Sequence, residues 1–163
     1  MFGSPIIGTP RVYARGVPTP DLLQLDRQVC FALSVAARNV VALYRPLLEP
    51  MGLTHPQYLV MLALWEKTPR SGTELASALA LDPGTLSPLL KRLEAAGLLQ
   101  RQRVPGDERT LAVTLTPAGR ALRADAERIP PAVVERLGMP LADLEALHAV
   151  LTQVIAATGR EQA

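Results

Sequence analysis

Cysteine is nearly absent from this sequence: Cys30 is the only one among 163 residues. An intrachain disulfide is therefore excluded, and a lone thiol is either inert core or a reactive group. Histidine is almost as scarce. His55 and His148 stand far apart and Cys30 has no cysteine partner, so nothing suggests a metal site. No cofactor is expected either. Aromatic residues make up only 4% of the chain, and the abundance of Leu and Ala in their place points to a mainly helical protein. A strong excess of one charge is also missing. The net charge is only +2, so any nucleic-acid role must come from local clustering. No apolar run approaches the roughly 20 residues needed to cross a bilayer. The first residues, MFGSPIIGTPRVYARG, place prolines and arginines where a signal peptide would be uninterrupted and apolar. A cytoplasmic protein with no membrane partner is expected.

What is present is enough for one domain, or one with an elaborated helical part: 48% of the residues are hydrophobic. Residues 1–20 carry four prolines and three glycines without a period and read as a disordered arm. Arg11 and Arg15 in this arm either touch phosphates or are simply solvated. Asp21 or Asp26 then caps a long helix, with apolar residues at Leu22, Leu25, Val29, Leu33, Ala36, Val40 and Leu43/Tyr44. Pro46 is expected to bend or end it near Leu48. Thr54 caps a second helix with Pro56 in its first turn, and the run from Tyr58 to Trp65 is apolar nearly all round, which predicts burial.

The most informative stretch is Ser71 to Arg109. Ser71 and Thr73 offer caps for a short helix through Leu79; Asp82-Pro83-Gly84-Thr85 makes a turn; a further helix runs from about Gly84 to Ala96 and stops at Gly97. Two extended runs follow, Leu98 to Val104 and Thr110 to Leu115, around a Pro-Gly-Asp tip. Thr116-Pro117 opens a fifth helix to about Arg128. Ile129-Pro130-Pro131 interrupts it, and a last helix spans Leu141 to Ala157. The spacing predicts a winged helix-turn-helix. In the helix before the hairpin, Thr85, Ser87, Lys91 and Arg92 are polar while Leu86, Leu89, Leu90 and Leu93 can pack, as a helix in a major groove requires. Residues 91–109 hold five basic and three acidic side chains, including Arg101, Arg103 and Arg109. A basic hairpin tip suits a neighbouring minor groove. Asp107 either braces Arg109 in a bidentate pair or forms an ordinary surface ion pair with it.

The stretch GTLSPLLKRLEAAGLLQRQRVPGDERTLAVTLTPAG, with its Asp-x-Arg wing, resembles the MarR family of winged-helix regulators. LDRQVCFALSVAARNVVALYRPLLEPMGLTHPQYLVMLALWE is similar to the subgroup of organic-hydroperoxide-sensing (OhrR) repressors. The resemblance covers about Leu25 to Pro130. It implies a mainly α fold with a small β wing, working as a two-fold homodimer on palindromic double-stranded operator DNA. The implied layout is an arm (1–20), a dimerisation and sensor helix (21–50), the winged helix-turn-helix (51–116) and C-terminal dimerisation helices (117–163). Cys30 maps onto the family's peroxide-reactive cysteine, and Tyr44, His55 and Tyr58 onto the region that supports it.

Organic hydroperoxide would turn the Cys30 thiolate into a sulfenic acid and release the repressor from DNA. Tyr44 matches a tyrosine that hydrogen-bonds the sulfur. Fourteen residues at roughly 100° each return to within about 40° of one helix face but lie about 21 Å apart along the axis. Tyr44 would therefore serve the Cys30 of an antiparallel partner, or else pack with its hydroxyl bound elsewhere. The chain departs from the family pattern where His55 and Ser34 replace tyrosines found in many members. His55 either assists the thiolate as a donor or cation, or is a plain helix-entry residue. With one cysteine, the resemblance is to the one-cysteine type, whose sulfenic acid would be capped by a small external thiol or oxidised further. Two rivals remain: a MarR-type repressor gated by a small aromatic ligand with Cys30 merely structural, and, more weakly, a thiol peroxidase. The chain is expected not to be an enzyme.

Overall fold

The computed structural model describes residues 23–104 and 107–159, and the side chains of residues 104–110 lie outside the described set. Arg11 and Arg15 therefore fall outside it, as do the side chains of Asp107 and Arg109. The chain divides into two units, Met1–Val41 and Ala42–Ala163. The first holds a single 3-10 turn at Leu25–Arg27 and the beginning of helix α1 (Val29–Leu48). Before Ala42, α1 leaves Cys30, Phe31, Leu33 and Val41 exposed. Pro46 lies within α1 and does not end it. It removes only the one N–H that would have reached Ala42 O, and the helix continues two residues beyond it. Gly52, at φ +67°, then supplies the left-handed conformation that turns the chain.

The second unit is built on α2 (His55–Glu66), which contributes Tyr58, Val60, Met61, Ala63 and Leu64 to the core. Its first turn is tied by Gln57 Oε1, which accepts from the Thr54 backbone N–H and hydroxyl, each at 2.9 Å. Leu59 and Leu62 stay partly exposed, so α2 is less completely enclosed than its composition predicts. Strand β1 (Arg70–Ser71), α3 (Gly72–Leu79), α4 (Pro83–Ala95), β2 (Leu99–Val104) and β3 (Asp107–Leu115) follow. The strands form an antiparallel sheet in the order β1-β3-β2. β1 pairs Arg70 with Val113 and Ser71 with Ala112. It is too short to carry an alternating pattern, and so it escapes sequence reading. Leu75, Leu86, Leu90, Leu93, Leu99, Val113 and Leu115 close the core beneath the sheet.

The predicted fifth helix is broken into α5 (Pro117–Ala121) and α6 (Arg123–Ala126). The expected interruption at Ile129-Pro130-Pro131 instead opens α7 (Ile129–Leu137). Prolines in a first turn remove only N–H groups that have no helical partner there. Ile129 and Val133 bury against the core. Helix α8 (Leu141–Gly159) buries none of its residues and exposes Leu141, Leu147, Val150, Val154 and Ile155. Two segments, Val29–Met51 and Leu141–Gly159, are long and apolar enough to cross a bilayer by length and composition. Neither is an uninterrupted apolar run of the kind the sequence expectation excluded. Scattered polar residues such as Ser34, Arg38 and Asn39 break up consecutive apolar runs without lowering the helical average below that limit.

Candidate nucleic-acid interface and thiol sensor

Helix α3 begins at a reciprocal cap: Glu74 N–H donates to Ser71 Oγ at 3.1 Å and Ser71 N–H donates to Glu74 Oε2 at 2.7 Å. These bonds hold the Glu74 carboxyl below the usual carboxylate range. Helix α4 begins at Asp82, which accepts from the Thr85 backbone N–H at 2.9 Å and from the Thr85 hydroxyl at 2.6 Å. The same bonds lower the Asp82 pKa. Leu86, Leu89, Leu90 and Leu93 are buried, at the i, i+3, i+4, i+7 spacing of one helical face. Thr85, Ser87, Lys91 and Arg92 are exposed on the rest of the helix. Among the described residues, Lys91 and Arg92 make no ion pair. Thr85 differs from the other three because its hydroxyl is engaged in the cap.

The hairpin pairs Leu99 with Leu115, Arg101 with Val113 and Arg103 with Leu111, then slips between Arg103 and Val104 so that Val104 faces Asp107. The slip adds residues to β3 near the tip, which increases local twist. Alternation along β2 puts Leu99, Arg101 and Arg103 on one face, the face on which Leu99 is buried. Arg101 consequently reaches back to the end of α4. Its Nε and Nη2 donate to Glu94 Oε2 at 3.0 and 2.5 Å, and its backbone N–H donates to Glu94 Oε1 at 3.2 Å. The guanidinium holds the Glu94 carboxyl below its ordinary range. Arg103, farther out, is exposed and has no ion pair among the described residues.

The hairpin base is fastened to the rest of the unit. Thr116 N–H donates to Leu98 O at 3.1 Å, Thr116 Oγ1 donates to Gly97 O at 2.6 Å, and Gly119 N–H donates to Thr116 Oγ1 at 3.0 Å. Trp65 Nε1–H donates to Gly119 O at 2.8 Å. Of the expected sensor residues, three come together. The ring of Tyr44 lies 4.9 Å from that of His55, edge to face, and 5.9 Å from that of Tyr58. Tyr58 in turn lies 6.4 Å from Trp65. Burial raises the pKa of Tyr44 and Tyr58, the latter helped by Tyr44, and lowers that of His55. Desolvation disfavours the charged form of His55. Cys30 belongs to the first unit and is exposed.

Residues 53–111 match the family model described as the MarR family. The chain is 42% identical over 153 residues to the HTH-type transcriptional regulator TtmR of Methylorubrum extorquens, covering 88% of this chain and 78% of that one. It is 37% identical to the organic hydroperoxide resistance transcriptional regulator of Bacillus subtilis, covering 80% and 89%. The chain belongs to the MarR family. It is a winged-helix, DNA-binding transcriptional regulator. Among solved structures it resembles reduced AbfR bound to DNA, from Staphylococcus epidermidis, with 32% identity, 82% of this chain and 94% of that one covered, and a TM-score of 0.68.

Within this MarR-family frame the residues that sequence reasoning missed are those that hold the DNA-reading elements in place. Asp82 was read as part of a turn; its position directly before Pro83 was a usable N-cap signal. Glu94 meets Arg101 only once the chain has turned from α4 into β2, and Gly119 meets Leu98 and Trp65 only in the folded unit, so neither carried a periodic signal. From the sequence, Arg101 and Arg103 fall together in one basic cluster. The structure separates them, because only Arg101 is close enough to α4 to be paired.

Proposed function

We propose that this MarR-family regulator is a redox-sensing repressor in the cytoplasm that leaves its operator when an organic hydroperoxide oxidises Cys30. The observation that carries this reading is that the chain's one thiol is exposed on α1, the helix that also bears Tyr44. Support comes from the Bacillus subtilis relative, named for organic hydroperoxide resistance, and from AbfR, solved in reduced and overoxidised forms bound to DNA. Lys91, Arg92, Ser87 and Thr85 on α4 meet the major groove. Arg103 and Arg109, the latter braced by Asp107, meet phosphates and the minor groove. Residues 21–50 and 117–163 join two copies. The apolar residues exposed on α1 and α8 suit a helical partner, and two-fold pairing gives two half-sites about one DNA turn apart.

The chemistry is a two-electron oxidation. The Cys30 thiolate attacks the terminal peroxide oxygen, the O–O bond breaks as the S–O bond forms, and the alkoxide leaves and takes a proton from solvent. A small thiol then attacks the sulfenic sulfur, forming a mixed disulfide and releasing water. Tyr44 supports the thiol of the partner chain. His55 and Tyr58, packed on Tyr44, fix its ring.

The test is an operator gel shift with wild-type protein and Cys30→Ser, with and without cumene hydroperoxide and a small thiol. The duplex is one selected by the wild-type protein from a random pool. Both proteins should bind, and only the wild type should be released by peroxide. Release of Cys30→Ser by peroxide sinks the redox reading. Release of both proteins by a small phenolic compound, with neither responding to peroxide, favours a ligand-gated repressor in which Cys30 is structural.

A further inference from the structure

We propose that Glu94 is a positioning residue for DNA reading: through Arg101 it locks the hairpin to α4, so that helix and wing dock as one body. An acidic side chain beside basic DNA-reading elements is electrostatically adverse for DNA binding. Its geometry indicates what offsets that cost. One carboxylate oxygen accepts two guanidinium N–H groups and the other accepts the Arg101 backbone N–H. β2 is an edge strand of the sheet, and its outward N–H groups lack a strand partner. Glu94 takes the one at Arg101. The carboxylate therefore holds both the side chain and the backbone of β2, two residues before the exposed Arg103 and three before the register slip.

The attachment completes a bracket. At the hairpin base, Thr116 binds Gly97 O and Leu98 O, at the junction that follows α4. Glu94, inside the last turn of α4, supplies a second point farther up β2. Two points separated along the strand fix an angle, whereas one leaves a hinge. The wing's angle to α4 decides whether a tip residue meets the minor groove while α4 occupies the major groove. Helix and wing then lose little orientational freedom on binding, because it is already lost in the free protein. Arg101 is thereby assigned to the bracket and Arg103 to phosphate.

The proposal rests on α4 and the hairpin both meeting DNA, and the experiment separates the two. Full-length Glu94→Gln keeps the shape and loses the charge. Positioning predicts operator binding about fivefold weaker, the effect of a weakened, half-exposed charge-assisted pair, with an unchanged salt slope because no phosphate contact is removed. A merely adverse charge predicts tighter binding. Equal or tighter binding by Glu94→Gln overturns the proposal. The exchange Glu94→Arg with Arg101→Glu conserves net charge. It should regain most of the affinity that either single change loses. If Arg101→Glu loses affinity that the exchange does not restore, Arg101 is a phosphate donor and the proposal fails. Lys91→Ala with Arg92→Ala reports on the interface itself. No loss there overturns both readings, whereas loss there without loss in Glu94→Gln overturns only this one. Equal melting temperatures for Glu94→Gln and the wild type tie the change to docking rather than folding.

Discussion

Gly119 sits where the backbone of α5 crosses the start of the hairpin. A Cβ placed on it would lie 1.9 Å from Leu98 O, 2.9 Å from Leu98 C and 3.3 Å from Leu115 Cδ2. A comfortable C···O approach is about 3.3 Å, so Gly119→Ala must open this contact by roughly 1.4 Å. The two nearest of these atoms are backbone, and no rotamer change relieves the clash. Four hydrogen bonds cross the junction, at 2.6 to 3.1 Å: Thr116 to Leu98 and to Gly97, Gly119 to Thr116, and Trp65 to Gly119. An opening of that size breaks two or three of them, at about 1 kcal/mol each. Alanine returns at most about 1 kcal/mol through helix propensity. The expected net loss is about 2 kcal/mol, read as a lower urea midpoint at unchanged slope. Operator binding should weaken further, under conditions where the variant is still folded, because the lifted junction re-aims the wing. A variant as stable as the wild type, or more so, would refute the argument that this crossing requires a bare backbone.

Three further outcomes follow from the residues assigned above. Arg103→Ala should weaken binding similarly on all sequences and reduce the salt slope by about one, whereas Arg109→Ala should cost affinity mainly at sites with a narrow minor groove; unchanged binding of Arg109→Ala at physiological salt rules out the wing assignment. His55, whose pKa burial lowers from 6.5, binds protons less readily when folded than when unfolded. Stability is therefore complete above about pH 6.5 and falls as the pH drops through the lowered value. His55→Gln should flatten that part of a melting-temperature profile, and an unchanged profile would remove His55 as its source.

The helix-turn-helix was legible because its signals are local. Gly97 stops α4, and Leu86, Leu89, Leu90 and Leu93 repeat with the helical period, although its start at the Asp82 cap reads from the sequence as part of the turn. The hairpin was legible for the same reason, from two extended runs around Pro-Gly-Asp. The breaks were not. Pro130 and Pro131 look like an interruption, yet open α7, because a proline's effect depends on whether it falls in the first turn or later. The arginines of β2 show the limit most clearly. Arg101 and Arg103 are identical in kind and two residues apart, which places them on the same face. What separates them is that α4 ends beside the first and not the second, a distance set by the crossing of helix and strand.

Trp65 shows how a residue's meaning can change without its burial changing much. Within an apolar helix it reads as one more core side chain, and much of its ring is indeed packed. Its indole N–H, however, has only a donor's capacity, and in a half-buried setting a missing acceptor would be costly. The acceptor it finds is Gly119 O, at the point where the hairpin base admits no side chain. The same ring stands edge to face with Tyr58, which packs against Tyr44. A contiguous row thus runs from the later turns of α1, through α2, to the junction that carries the wing. From the sequence its members read as separate things, Tyr44 and Tyr58 as supports for a thiol and Trp65 as part of a buried helix, and Gly119 carried no reading of its own. Their common feature is that each of the two ends is rigid for its own reason, an aromatic stack at one and a backbone crossing at the other. Packed interiors have little slack, and the row joins the last turns of α1 to the base of the hairpin by direct contacts.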